Sequence, residues 1–167
     1  LDVPAGSAPV KHLLSDRTGS LHIVLADGTH AVRSDRGLQF VADSGPRPQA
    51  LAEEAPEPLS ICEAGDGSVW VGYRQGVVSR TSGLQRTWHR IPAGESGSPD
   101  SSAYLAADTA GRVWLARRTR LAVWKGTDWR VKQELPDQQT IVAAARDGGL
   151  WVRTGNRVQH FDGSRLT

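Results

Sequence analysis

Methionine is absent from the sequence, cysteine occurs once, and phenylalanine and tyrosine occur twice each. A lone Cys62 excludes an internal disulfide and any thiolate metal cluster; within an apolar stretch it reads as a small buried side chain. No apolar run approaches the roughly 18 residues that a membrane helix needs, so this piece holds no such span. Lysine is limited to Lys11, Lys125 and Lys132, and 20 basic residues stand against 18 acidic ones, for a net charge of +2. That near-balance, without clustered lysines beside exposed aromatics, argues against a nucleic-acid partner. A chain that begins at Leu1 and contains no methionine reads as a domain excised from a longer protein. Any targeting or membrane-anchoring segment is then expected outside it.

Signals for catalysis are equally sparse. The histidines (His12, His22, His30, His89 and His160) lack metal-ligand spacing, so no metal or other cofactor is expected. Gly94-Glu95-Ser96-Gly97 does not have the register of a nucleophile elbow. Gly65-Asp66-Gly67 is a turn, and no glycine-rich loop opens a phosphate-binding helix. The chain reads as non-enzymatic.

What is present is a repeat. Gly65-Asp66-Gly67-Ser68-Val69-Trp70-Val71-Gly72 recurs as Asp108-Thr109-Ala110-Gly111-Arg112-Val113-Trp114-Leu115-Ala116 and as Asp147-Gly148-Gly149-Leu150-Trp151-Val152-Arg153. A weaker copy, Asp16-Arg17-Thr18-Gly19-Ser20-Leu21-His22-Ile23, carries histidine in place of tryptophan. The turn glycines Gly19, Gly67, Gly111 and Gly148 are 48, 44 and 37 residues apart, a period typical of repeat architectures. Each repeat offers about four strands of roughly 4–6 residues. They fall at 12–15, 21–25, 30–33 and 38–41; then 59–64, 69–73, 77–80 and 88–91; then 102–107, 113–117, 121–125 and 129–132; and last 140–145, 150–153 and 158–161. The final repeat lacks its outermost strand or reduces it to 164–167. Residues 43–58, with four prolines, and 93–101 read as surface loops, with at most one helical turn near 50–57.

A half-solvated strand alternates apolar and polar residues. Val69-Trp70-Val71, Val113-Trp114-Leu115 and Leu150-Trp151-Val152 do not alternate, so both faces are expected to be covered. Blades stacked around an axis satisfy this pattern, with the tryptophans packed between blades. The fold is therefore read as an all-β propeller of about four four-stranded antiparallel blades in one domain, at 10–45, 58–93, 101–134 and 139–167, the last incomplete. Four blades leave three readings open: a small closed ring, a fragment of a larger ring, or a half-ring completed by a second copy. Self-association into eight blades is the favoured reading, with residues 1–3 free to supply a missing outer strand.

These motifs resemble the two-component regulator propeller repeat, best in the second copy, from Ile61 through Trp70-Val71-Gly72 to Gly76-Val77-Val78. The third and fourth copies have Ala116 and Arg153 where the pattern has glycine, and the first has His22 for tryptophan. The resemblance implies a periplasmic sensor region that precedes a membrane helix and a histidine kinase or diguanylate cyclase output. It also implies a membrane tie only through segments outside this chain. Two alternatives stay open. One is a scaffold without a small ligand. The other is a lyase of the streptogramin-inactivating type, for which His30 and His89 are the candidate histidines at the channel mouth.

In a propeller, the turns between second and third strands gather at one mouth of the channel. Arg74, Arg117, Arg118, Arg120, Arg153 and Arg157 lie at or beside them, and guanidinium groups hold carboxylate or phosphate oxygens in two-point fashion. Gln75, Asn156 and Asp27 sit at equivalent turns. A small-molecule or oligosaccharide ligand of anionic character is the expectation. The alternative is that these are solvated turn residues.

Overall fold

A computed structural model describes residues 6–51, 54–91, 102–136 and 139–167. The first sheet is β1 (Val10–Ser15), β2 (Leu21–Leu25), β3 (His30–Ser34) and β4 (Gly37–Phe40), antiparallel in chain order. A two-residue strand, β5 (Ala42–Asp43), leads on to a 3-10 turn at Gln49–Leu51. The second sheet is β6 (Pro58–Glu63), β7 (Val69–Tyr73), β8 (Val77–Ser82) and β9 (Gln85–Arg90). The third is β10 (Tyr104–Ala107), β11 (Val113–Arg117), β12 (Arg120–Trp124) and β13 (Trp129–Glu134). The fourth has three strands, β14 (Thr140–Ala144), β15 (Leu150–Thr154) and β16 (Arg157–Phe161), plus one bridge between Phe161 and Leu166. The four sheets are blades of a β-propeller. The idea that residues 1–3 add a strand falls outside the described residues, as does the 94–97 segment.

One connection departs from the surface-loop reading. β5 runs parallel to β9 and makes the second sheet five-stranded. Arg86 fixes it there: its Nε donates to Asp43 Oδ1 at 2.6 Å, its guanidinium donates to the Gly28 carbonyl at 2.8 Å, and it lies 4.5 Å from the Trp88 ring centroid. The first strand of each blade packs on the next, β1 on β6, β6 on β10 and β10 on β14. The blades therefore fan about an axis lined by these inner strands.

In the first three repeats the turn supports its own aromatic residue, His22, Trp70 or Trp114. Asp108 accepts the Ala110 and Arg112 amides on Oδ1, and the Trp114 Nε1–H at 2.8 Å and Arg112 Nε–H at 2.7 Å on Oδ2. In the second blade, Ser68 is interposed: its hydroxyl donates to Asp66 at 2.6 Å and accepts the Trp70 Nε1–H at 2.9 Å. Pairing each indole N–H removes the cost of burying it. Successive turns also meet. The Gly65 amide donates to the Gly111 carbonyl at 2.8 Å, and a Cβ on Gly111 (φ 74°) would lie 2.3 Å from Gly65 Cα, so no larger residue fits.

The aromatic position always faces the following blade. Trp70 packs with Leu105, Val113, Leu115 and Trp129 of the third sheet, and Trp114 with Val142, Leu150, Val152 and Phe161 of the fourth. Trp151 is the exception to the expected packing. It is exposed on the outward face of the fourth sheet, because no described blade follows it. Cys62 is buried against Trp70 as expected, and burial pushes its thiol up to about 12.

Candidate functional site

The turns between second and third strands do lie beside the starts of inner strands. The Ala26 amide donates to the Pro9 carbonyl, the Arg74 amide to Glu57 and the Gly155 amide to Gln139. The third-sheet turn reaches the next blade, where the Thr140 hydroxyl donates to the Arg118 carbonyl at 3.1 Å. Gln139 Nε2 donates to the Tyr104 hydroxyl at 3.2 Å, close to a small hollow formed by Ser102, Tyr104, Arg118 and Thr140. One end of the axis is thus ringed by short turns rich in arginine.

The candidate residues at that mouth differ in what they hold. Arg74 forms a two-point ion pair with Glu57, with its Nη2 2.8 Å from Oε1, and Lys11 approaches the same carboxylate at 4.0 Å. The Arg74 guanidinium holds Glu57 below the ordinary carboxylate range. Gln75 is bound into the 54–57 segment, donating to the Ala55 carbonyl at 2.9 Å and accepting from the Glu57 amide at 3.3 Å. Asp27 caps its own turn by accepting the Thr29 amide. Arg117 and Arg120 face each other across the hairpin, and burial followed by the Arg120 charge lowers Arg117. Arg120 lies 3.5 Å from Glu134. Arg118 occupies the turn itself at φ 42°. Arg153 donates to the Gly155 carbonyl, while Asn156 and Arg157 are exposed in the last hairpin.

Below the mouth, the inner strands line a trough of about 620 Å³. Its floor is apolar, with Leu14, Ile61, Ala106, Ile141 and Ala143, and its polar groups include His12, Tyr104 and Glu63. Sequence reasoning missed these residues. Alternation along the first strand of each repeat was the signal that could have found them, since it sets His12 and Leu14 on one face. His12 Nε2 is 3.1 Å from the Pro58 carbonyl, and Glu63 is engaged by Arg17 at 2.6 Å, so each is already held apart from the other.

His30 and His89, the histidines expected at the mouth, lie elsewhere. His89 is on β9, stacked on Trp70 at 5.4 Å and edge-on to Trp124 at 5.1 Å, and burial lowers its pKa. His30 is buried where the first and second blades meet, inside a hydrogen-bonded chain. The Asp16 carboxylate accepts from His22 Nε2 at 3.1 Å, His22 Nδ1 is 2.9 Å from His30 Nε2, and His30 Nδ1 is 3.2 Å from the Thr81 hydroxyl. Burial pushes Asp16 up, but bonds from Thr18, His22 and Ser20 outweigh it and keep it ionised. The carboxylate can only accept, so His22 Nε2–H donates to Asp16; with a neutral His22, His30 then donates to His22 and Thr81 to His30. Burial, then the His22 and Arg86 charges, drop His30 to about 3, so His30 is a neutral link. Among the described residues no group of His, Cys, Asp and Glu side chains could hold a metal ion.

The sequence matches no family model, and no curated protein matches it. Solved structures do match. A catalytically inactive variant of virginiamycin B lyase from Staphylococcus aureus, solved with quinupristin, is similar at a TM-score of 0.77 and 14% identity, over 99% of this chain and 57% of that one. The extracellular domain assigned to a hybrid two component system from Bacteroides thetaiotaomicron gives 0.63 at 16% identity, over 92% and 21%. One assigned to a one component system from the same organism gives 0.65 at 14%, over 99% and 25%. The chain therefore spans just over half the length of the lyase and a quarter or less of the sensor domains. Identities this low establish the propeller fold alone; its neighbours include both extracellular sensor domains and enzymes.

Proposed function

We propose that this chain is a non-catalytic, ligand-sensing propeller that works outside the cytoplasm as the input region of a bacterial membrane signalling receptor, of the sensor kinase or diguanylate cyclase type. The observation that carries the reading is the mouth. Turns of successive blades bring Arg118, Arg120, Arg153 and Arg157 to the same end of an apolar trough. An anionic small molecule or acidic oligosaccharide would place its carboxylates on the guanidinium groups and its carbon skeleton on the trough floor. Binding would shift the relative arrangement of neighbouring protomers and so the output, a change of population and not a chemical step. The resemblance to the two-component repeat and the extracellular sensor domains among the structural neighbours support the location and the role.

Calorimetric titration with a panel of sugar acids and charged and neutral oligosaccharides tests this. A binder is expected whose affinity falls about tenfold or more in Arg118→Ala/Arg153→Ala, with the compound recovered unchanged. Chemical conversion of the bound compound would replace sensing with catalysis. Failure of the whole panel on the assembled ring would favour a scaffold.

A further inference from the structure

The third sheet ends at the mouth in a pair of like charges. Arg117 and Arg120 stand directly opposite each other where the β11–β12 hairpin closes. Their register sets their direction. Val113, Leu115 and Ala122 belong to the cluster around Trp70 and Val78 of the second sheet, whereas Trp114, Ala116, Leu121 and Val123 face the fourth. Arg117 lies two residues beyond Leu115 and Arg120 two before Ala122, so both side chains leave on the second-blade side. They project toward the cleft between the second and third blades, one strand and more out from the axis-lining β10.

Side chains opposite each other in an antiparallel pair have Cβ atoms about 5 Å apart, and like charges there repel. Arg120 is partly relieved by Glu134, 3.5 Å away. Arg117 is half-buried, and among the described residues it has no hydrogen-bond or ion-pair partner. Burial, then the Arg120 charge, work against its charged form, and no carboxylate among the described residues offsets them. Other mouth arginines differ: Arg74 holds Glu57, Arg153 holds the Gly155 carbonyl, and Arg157 is exposed. A guanidinium cannot shed its proton to escape burial, so an unpaired one costs stability until an anion joins it. The hairpin that carries the pair is also pinned. The Thr140 hydroxyl donates to the Arg118 carbonyl at 3.1 Å, and the Leu135 amide donates to the Thr119 carbonyl at 2.6 Å. Little remains to be ordered on binding.

We infer that Arg117 is an anion anchor: with Arg120 beside it, its guanidinium holds one carboxylate or phosphate group in the cleft between the mouth ends of the second and third blades. The pair sets two positive charges against the single negative charge of Glu134, which matches one further negative charge. Both blades belong to this chain, so the site is whole however the ring is completed. The anchor rests on the mouth being a ligand site, as proposed above, and narrows it: the ligand's anionic group sits in this cleft, off the channel axis.

Calorimetric titration with inorganic phosphate and with acetate, in chloride buffer of matched ionic strength, tests the anchor. Matching removes general screening. Saturable binding is expected at roughly millimolar concentration, weakened about tenfold or more by Arg117→Gln. Arg117→Lys keeps the charge without the two-point fork and should fall between them. Arg130→Gln, which removes an exposed charge of the same sheet, should bind as the parent does. Phosphate should also raise the unfolding temperature of the parent but not of Arg117→Gln, which in chloride alone should be at least as stable as the parent. If Arg117→Gln fails to unfold cooperatively, Arg120→Gln on the facing strand carries the same test. No saturable binding of either anion overturns the anchor, as does binding that both Gln variants leave unchanged. The anchor and the sensing role fail separately. Sugar-acid binding that is lost in Arg118→Ala/Arg153→Ala but not in Arg117→Gln overturns the anchor alone. Phosphate binding that depends on Arg117, with no sugar acid or oligosaccharide bound, supports the anchor and counts against the sensing role.

Discussion

The junction between the first and second blades and the one between the second and third occupy the same place in the repeat and are built from opposite chemistry. At the second–third junction, Trp70 meets Leu105, Val113, Leu115 and Trp129; the Trp70 indole N–H is met locally by Ser68, while the buried Trp129 indole N–H has no hydrogen-bond partner. At the first–second junction, His22 replaces the tryptophan, and the smaller ring is completed by a second histidine and a threonine from the neighbouring blade. The apolar junction holds by area and shape, so it is sensitive to truncation, with an acid dependence carried by His89, which stacks on Trp70 with a lowered pKa. The polar one holds only while His30 stays neutral, Asp16 stays ionised and every member stays paired.

That contrast can be broken most severely at Trp114, which follows the apolar pattern. Trp114→Ala is expected to cost about 3–5 kcal/mol in denaturant unfolding, because it opens a cavity and removes one of the four side-chain hydrogen bonds that Asp108 accepts. A loss under 1 kcal/mol would mean that the junction collapses around the gap.

Acid separates the two junctions next. His30 has a folded value of about 3 against 6.5 for an ordinary histidine. The folded chain stays unprotonated where the unfolded chain takes up a proton, so its stability is present above pH 6.5 and is lost as pH falls toward 3. From pH 7 to 5 the loss should be about 2 kcal/mol. His30→Phe should flatten that part of the pH profile, and an unchanged slope would assign the acid sensitivity elsewhere. Hydrogen exchange should show the first blade opening before the third at pH 5.

Removing the local support of Trp70 is a smaller test. Ser68→Ala leaves the indole N–H without its partner and should cost about 1 kcal/mol, with a shift in the tryptophan emission. Smallest of all, Trp151→Ala in a monomeric sample should change stability by less than about 0.5 kcal/mol, since its ring is already half in water. A loss comparable with that of Trp114→Ala would show that something covers it.

The repeats, the strand positions and the all-β propeller were legible in the sequence because they depend on local features: turn chemistry at Asp and Gly, and aliphatic-Trp-aliphatic strands too apolar for a one-sided sheet. The arginine-rich mouth followed from the same counting of turns. Other features were hidden because their parts lie far apart in the chain. Arg86 and Asp43 are separated by 43 residues, and His30 and Thr81 by 51. The His22–His30 pair was closer to reach, since an antiparallel hairpin with Val24 opposite His30 sets the two rings diagonally on one face.

The missing glycine at Ala116 also has its explanation in packing. Gly72 lies so close to the third blade that an added Cβ would sit 2.3 Å from the Ala103 carbonyl oxygen, whereas Ala116 is accommodated against the fourth blade. The sequence by itself determined the unit: a sheet with two apolar faces that favours stacking, because a strand with tryptophan flanked by aliphatics puts large apolar side chains on both sides. Only the tertiary structure decided which residue each face meets, which histidines join a buried hydrogen-bonded chain, and that Trp151 and Leu13 are exposed on opposite end blades. Those outcomes depend on the relative placement of neighbouring sheets, which packing sets between residues that the chain itself does not bring together.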